Sequence, residues 1–268
     1  MSGGGYESAG SGTPGRAAGF AARLRDRQRI VGYWITLDSP VSTERIARLG
    51  YDYVAFDAQH GLLDYTGILH GLVAVDAGGV AAGVVRVGAN DLYQVGRALD
   101  AGASTVIVPL VDTPEQAAAA VSHTRYAPVG GRSYGPMRSS LRIGPNPAEA
   151  NEQVACVVMI ETAAGLANVE QICAVPGLAG VYVGPSDLTI SLGGTSSTDP
   201  GVADAFEAAL VRIREAAAAA GVAAGIHTSS GADAGRRLDQ GFTFASVSSD
   251  LVHLELAAKN HLEASGPR

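Results

Sequence analysis

Lysine is nearly missing from this chain. Lys259 is the only one among 19 basic residues, and it falls in a charged stretch near the C-terminus. That scarcity removes Schiff-base aldolases, pyridoxal-phosphate enzymes and Walker-type nucleotide sites, each of which needs a placed lysine. Cysteine is almost as rare. Cys156 and Cys173 alone cannot build a disulfide framework or a zinc cluster, and they are expected to be buried thiols of a cytoplasmic protein. Charged residues make up only 17% and the formal net charge is −7, which argues against nucleic-acid and anionic-membrane partners. No apolar run reaches the ~20 residues of a membrane span. The alanine run at 216–220 follows Arg212, Arg214 and Glu215 too closely. Residues 1–15 are rich in Gly and Ser and lack the apolar centre of a signal peptide. A disordered tail over 1–19 is the expectation.

The chain is well supplied with short apolar runs. GYWITL (32–37), YVAFD (53–57), AGVVRV (82–87), TVIVPLV (105–111), VACVVMI (154–160), GVYVG (180–184), VAAGIH (222–227) and FTFASV (242–247) recur between longer helical stretches. Their apolar character is nearly continuous, as strands covered on both faces require, and this points to a parallel sheet. FAARLRDRQR (20–29) reads as an amphipathic lead-in helix. Thr113-Pro114-Glu115-Gln116 is a capping box with proline at the first helical position, and Ser42 or Thr43 is expected to cap the first helix. Gly50, Gly102, Gly221 and Gly241 fall where helices should stop. Eight strand–helix units in 268 residues predict one single-domain (β/α)8 TIM barrel over residues 20–268, with an open doubly wound sheet as the alternative. No G-x-G-x-x-G follows a strand, so a dinucleotide site has no support. The stretch from Ala127 to Glu152 is expected to be a long loop over the C-terminal face.

In such a barrel function sits at the C-terminal strand ends. Asp57 closes the second strand and is followed by Gln59-His60-Gly61. Arg86 ends the third, Glu161 follows the fifth, Gly184-Pro185-Ser186-Asp187 follows the sixth, and His227 ends the seventh. Glu161 and Asp187 end adjacent strands, so their carboxylates can converge on a hard divalent cation, magnesium or manganese rather than zinc, with cobalt a third candidate. The competing reading pairs one of them with Arg86 and lets the other cap a helix. Arg86 offers a forked cation for a carboxylate or enolate, unless it merely pairs with Asp57 or Glu161. The N–H groups at Gly184–Asp187 can receive a substrate carboxylate. His60 is the candidate base, with Asp57 three residues earlier to orient its ring. His227 either lines the pocket mouth or is structural. His70, His123, His253 and His261 read as helix residues. These parts suit aldol chemistry on a 2-oxo acid, which a cation can support without lysine.

The segments GYWITLDSP, GYDYVAFDAQHG, VVRV, ALDAGASTVIVPLVDTPEQA, RYAPVGGRS, VVMIETAAGLANVEQI and GVYVGPSDLTISLG, in this order and spacing, resemble the HpcH/HpaI aldolase family of metal-dependent pyruvate aldolases. The resemblance runs from about Leu24 to Ala257. It implies a (β/α)8 barrel that assembles as a homo-oligomer, commonly a hexamer with exchanged C-terminal helices. It also implies that Glu161 and Asp187 hold the metal, Arg86 binds pyruvate, and His60 is the base with Asp57 as its partner. Asp100 would support that histidine and its waters, and the amide at Ser186 would hold the pyruvate carboxylate. The substrates implied are a 2-oxo acid, pyruvate or oxaloacetate, and an aldehyde. Oxaloacetate decarboxylation, an enolate-using synthase and a CoA-thioester lyase are alternatives on the same site, and a barrel that only binds a keto acid is another. Two positions depart from the pattern. Gln59 stands where Glu is frequent, and Met159 stands near the keto acid where some members carry Gln. His227 and the SSGAD that follows it are not family features. Tyr134, Arg138 and Leu141 are candidates for the aldehyde side.

Overall fold

The computed structural model describes residues 16–266, so the expectation for residues 1–15 lies outside them. Eight parallel strands close into a barrel in sequence order: β1 (Ile30–Ile35), β2 (Tyr53–Asp57), β3 (Ala82–Arg86), β4 (Thr105–Val108), β5 (Ala155–Ile160), β6 (Gly180–Val183), β7 (Ala223–Thr228) and β8 (Phe244–Ser249). The open-sheet alternative is thereby excluded, since β8 pairs back onto β1. The helices α2 (Pro40–Ala47), α3 (Tyr65–Gly78), α4 (Leu92–Asp100), α5 (Pro114–Thr124), the short α7 (Ala163–Ala167) with α8 (Val169–Cys173), α10 (Ala203–Ala220) and α11 (Gly231–Asp239) follow successive strands. A lead-in helix, α1 (Arg16–Arg25), and a final helix, α12 (Asp250–Ala264), flank them.

Strand alternation separates two cores. One face of every strand packs outward on helices. The other points into the lumen, where Ile30, Trp34, Tyr53, Ala55, Val84, Ile107, Val157, Met159, Tyr182, Ala223 and Phe244 form a second cluster. Small and large residues complement one another there. A Cβ on Gly32 would lie 2.1 Å from the Tyr53 ring, and one on Gly225 would lie 2.2 Å from that of Phe244. The lumen is therefore solid, as this fold requires.

Several boundaries differ from expectation, each for a local reason. The lead-in helix is placed earlier than 20–29, and it takes in residues 16–19 of the expected tail. It plugs the amino-terminal end of the barrel with Phe20, Ala21 and Leu24. Arg23 pairs with Asp52 at 2.7 Å and secures it. The first barrel helix begins at Pro40 behind Ser39, so Ser42 and Thr43 lie inside it and do not cap it. The capping box at Thr113 and Gln116 is present with both bonds formed. Gly50, Gly102, Gly221 and Gly241 all have positive φ. The fourth strand stops at Val108 because Leu110 adopts φ +54°.

The largest correction concerns the long loop. It follows α5, not β4, so it returns the chain to the start of β5 on the amino-terminal face. It carries a short 3₁₀ turn and α6 (Pro147–Gln153). Arg138 donates to the Ala101 carbonyl and to Asp76, and Arg142 to Asp76, at the ends of α4 and α3. A loop expected over the functional face covers the opposite one.

Candidate active site

Period-two alternation aims Asp57, Arg86, Met159, Glu161, Gly184 and His227 into the same end of the lumen, since each shares the inward phase of its strand. The resulting cavity is about 240 Å³. Trp34, Met159 and Tyr182 form its depth, and His60, Ser186 and Asp187 stand exposed at its mouth.

Asp57 and Arg86 are paired neighbours in the β2–β3 register. Arg86 Nε donates to Asp57 Oδ1 at 3.0 Å and a terminal nitrogen to Oδ2 at 2.5 Å. Trp34 Nε1 donates to the same Oδ2 at 3.3 Å. The guanidinium carbon sits 5.2 Å from the centroid of the Trp34 ring. Burial raises the Asp57 carboxyl, but Arg86 and the donors around it outweigh burial and hold it below its ordinary value. The structural pairing weighed for Arg86 is thus real, and it does not consume the side chain. A guanidinium has five N–H donors. Two are engaged with Asp57, which leaves three for a ligand.

Asp57 does not hold the His60 ring, as the three-residue spacing suggested. Its Oδ1 accepts the backbone N–H groups of Gln59 and His60, both at 3.0 Å. The carboxylate fixes the loop that presents the imidazole, and the imidazole itself stands exposed at the mouth.

Glu161 is 2% exposed. Its Oε1 accepts the Leu110 N–H at 2.7 Å, which the left-handed turn at Leu110 makes possible. Its Oε2 is buried without a partner. Burial raises the carboxyl above its ordinary value. The Leu110 amide pulls it down, and the charge of Asp187 pushes it up again. Gly184 makes room for it, since a Cβ there would meet Oε2 at 2.5 Å. An orphaned buried oxygen beside a second carboxylate leaves an unmet need for positive charge. The donors are hard oxygens, so Glu161 and Asp187 fit a divalent cation that keeps water or substrate as its other ligands. Among the described residues no group of three or more His, Cys, Asp or Glu side chains could hold a metal. Asp187 lies in the first turn of α9 (Pro185–Ser191). There the Ser186 and Asp187 N–H groups have no helical acceptor and are open to an anion.

His227 stands edge-on to Trp34, with ring centroids 5.2 Å apart. Burial, then the Arg86 charge, pull it down to about 4, so the ring is neutral near neutral pH.

Asp100 is not brought to this cavity within the chain. It ends α4 on the amino-terminal face and pairs with Arg132 at 2.6 Å. Tyr134, Arg138 and Leu141 lie in the loop on that same face. His70 and His123 lie in α3 and α5, and His253 and His261 in α12, as expected. Sequence reasoning missed Trp34 and the Leu110 amide. Trp34 shares the inward phase of β1 and could have been found by alternation. A backbone N–H carries no sequence signal.

The family described as HpcH/HpaI aldolase/citrate lyase matches residues 30–257. A hydroxypyruvate/pyruvate aldolase of Rhizorhabdus wittichii is 40% identical over 227 residues, 84% of this chain and 90% of the relative. A 5-keto-4-deoxy-D-glucarate aldolase of Klebsiella pneumoniae is 39% identical over 236 residues, 87% and 90% of the two chains. The crystal structure of an HpcH/HpaI aldolase/citrate lyase family protein from Burkholderia cenocepacia superposes with a TM-score of 0.83. It is 34% identical and covers 92% of this chain and 99% of its own.

Proposed function

The chain belongs to the HpcH/HpaI aldolase/citrate lyase family, and from that premise we propose that it is a divalent-metal-dependent aldolase of 4-hydroxy-2-oxo acids. One observation carries the reading. The buried Oε2 of Glu161 has no partner and its carboxyl is raised further by the charge of Asp187, and Asp187 lines the same cavity as Arg86 with its three uncommitted N–H groups. Glu161 and Asp187 would hold the cation, magnesium or manganese by the hardness of their oxygens. When bound, it supplies Lewis-acid stabilisation for the negative oxygen that develops as the carbon–carbon bond breaks.

The protein's own groups do the rest. The N–H groups at Ser186 and Asp187 receive the 2-oxo acid carboxylate. Arg86, locked by Asp57, holds the keto oxygen and stabilises its enolate form. His60 takes the proton from the 4-hydroxyl as the bond between C3 and C4 breaks. The aldehyde leaves, and a proton delivered to C3 completes pyruvate or a substituted pyruvate. The names of the two relatives support pyruvate, hydroxypyruvate or a deoxy-keto-sugar acid as the substrate class. A CoA-thioester lyase would need free cations for the nucleotide phosphates. Arg138 and Arg142 are ion-paired with Asp76 on the far face instead.

The same reading includes a homo-oligomer. Along α12 only Asp250 is buried, while Val252, Leu254 and Leu256 are 50%, 60% and 54% exposed. An apolar helix left uncovered in this way supports packing against further copies of the chain, a hexamer by family resemblance. A reducing cytoplasm suits the two free, buried thiols.

Excess EDTA should abolish pyruvate release from a 4-hydroxy-2-oxo acid, and added Mg²⁺ or Mn²⁺ should restore it. Full turnover in chelator would remove the mechanism.

A further inference from the structure

The cavity is unevenly supplied with free hydrogen-bonding groups. At its depth nearly every polar side chain is already engaged inside the protein. Trp34 Nε1 donates to Asp57, the Tyr182 hydroxyl donates to Ser246 at 2.6 Å, and Thr36 Oγ1 donates to Asp250 at 2.8 Å. Ser249 Oγ accepts the Val252 N–H. Met159 offers only a thioether. His227 differs from all of these. It points inward from β7 and rests its edge on Trp34. No hydrogen bond within the described residues engages its ring nitrogens.

We propose that His227 is a specificity-determining residue that hydrogen-bonds a hydroxyl on the third carbon of the donor 2-oxo acid, so that the site prefers hydroxylated donors over pyruvate. The inference rests on the aldolase reading above and adds to it the residue that selects the donor. Its neighbours assign His227 to the donor. The ring rests on Trp34, whose indole holds Asp57, the partner of Arg86, and the Arg86 charge acts on it, so it stands beside the group that holds the keto oxygen, while the acceptor must enter past the exposed His60. The ring's chemistry matches as well. A neutral imidazole has one N–H donor and one bare acceptor nitrogen, the complement of a hydroxyl. Burial and Arg86 keep it neutral at working pH. Met159 and Trp34 beside it cannot replace that bond, so a hydroxyl placed there without His227 would be desolvated and unpaired.

Calorimetric titration of the Mg²⁺-loaded protein with hydroxypyruvate and with pyruvate tests this directly. The quantity read is the ratio of the two affinities, in wild type, His227→Leu and His227→Asn. The leucine variant should lower the preference for hydroxypyruvate by about tenfold, the scale of one net hydrogen bond. Asparagine, which keeps a donor and an acceptor, should restore part of it. An unchanged ratio in His227→Leu, with the variant folded by circular dichroism, would overturn the proposal. If the wild type binds pyruvate but shows no preference for the hydroxylated acid, the donor-selection idea fails while the aldolase reading stands. If it binds neither acid, both fail.

Discussion

Glu161 and Gly184 illustrate how much of a site can depend on an absent atom. The carboxylate is fixed at one oxygen by the Leu110 amide, and its other oxygen occupies the space that a Cβ at 184 would need. Gly184→Ala should therefore turn the carboxylate while leaving the barrel folded. We expect Mn²⁺ affinity, measured by titration calorimetry, to fall by roughly 10- to 100-fold, the usual cost of disturbing groups that orient a metal ligand. Undiminished affinity would show that Glu161 is not a ligand. His227 gives a second prediction, about stability. Its folded value is depressed to about 4 from 6.5, so the unfolded chain binds more protons between those limits and stability falls as pH drops through them. Between pH 6.5 and 5 this should cost about 1.5 kcal/mol. Glu161 is shifted upward and works in the opposite direction. The decisive comparison is thus urea unfolding of wild type and His227→Asn at both pH values, in which the variant should lose less stability on acidification.

At the scale of elements, the eight strands were legible because buried parallel strands have continuous apolar runs, and strand-tip charges stood out against them. Asp57, Arg86, Glu161, Asp187 and His227 were singled out as candidates in this way. What could not be read was anything set by backbone direction or by which side of a helix a loop falls on. Val111 was assigned to the fourth strand because it is apolar, yet Leu110 had already turned the chain to serve Glu161. The Ala127–Glu152 loop was placed on the wrong face because it was read as following the fourth strand, although the capping box at Thr113 already marked a helix between them. Asp57 was assigned to an imidazole when its geometry serves two amides and a guanidinium. α12 offers a test at this scale. Asp250 anchors its start by accepting the Thr36 and Leu37 N–H groups at 2.8 and 3.1 Å, and the apolar residues beyond are exposed. A chain ended after Asp250 should keep the barrel's cooperative unfolding transition and elute as a monomer. Retention of the wild-type assembly would assign the contacts to another surface.

For the molecule as a whole, the candidate site and the plug formed by α1 occupy opposite ends of one barrel. Both thiols lie in the outer shell between strand and helix, and burial pushes Cys156 and Cys173 each up to about 12. Neither should react with iodoacetamide at pH 8 in the folded protein, and both should react in urea. Mass spectrometry of the alkylated chain decides this, and rapid labelling of the native form would contradict the packing described. The two ends of the barrel are nonetheless in mechanical series. Phe20 of α1 meets Tyr53 at 5.5 Å, Tyr53 meets Phe244 at 6.5 Å, Phe244 meets Tyr182 at 5.6 Å, and Tyr182 stacks on Trp34 at 5.9 Å. That indole is the one that steadies Asp57. The rings form a spine from the stopper to Asp57 and Arg86, so remoteness along the axis gives no insulation. A shortened amino terminus, cut for convenience of expression, would slacken the last link of that spine and be felt as a misaimed guanidinium at the other end.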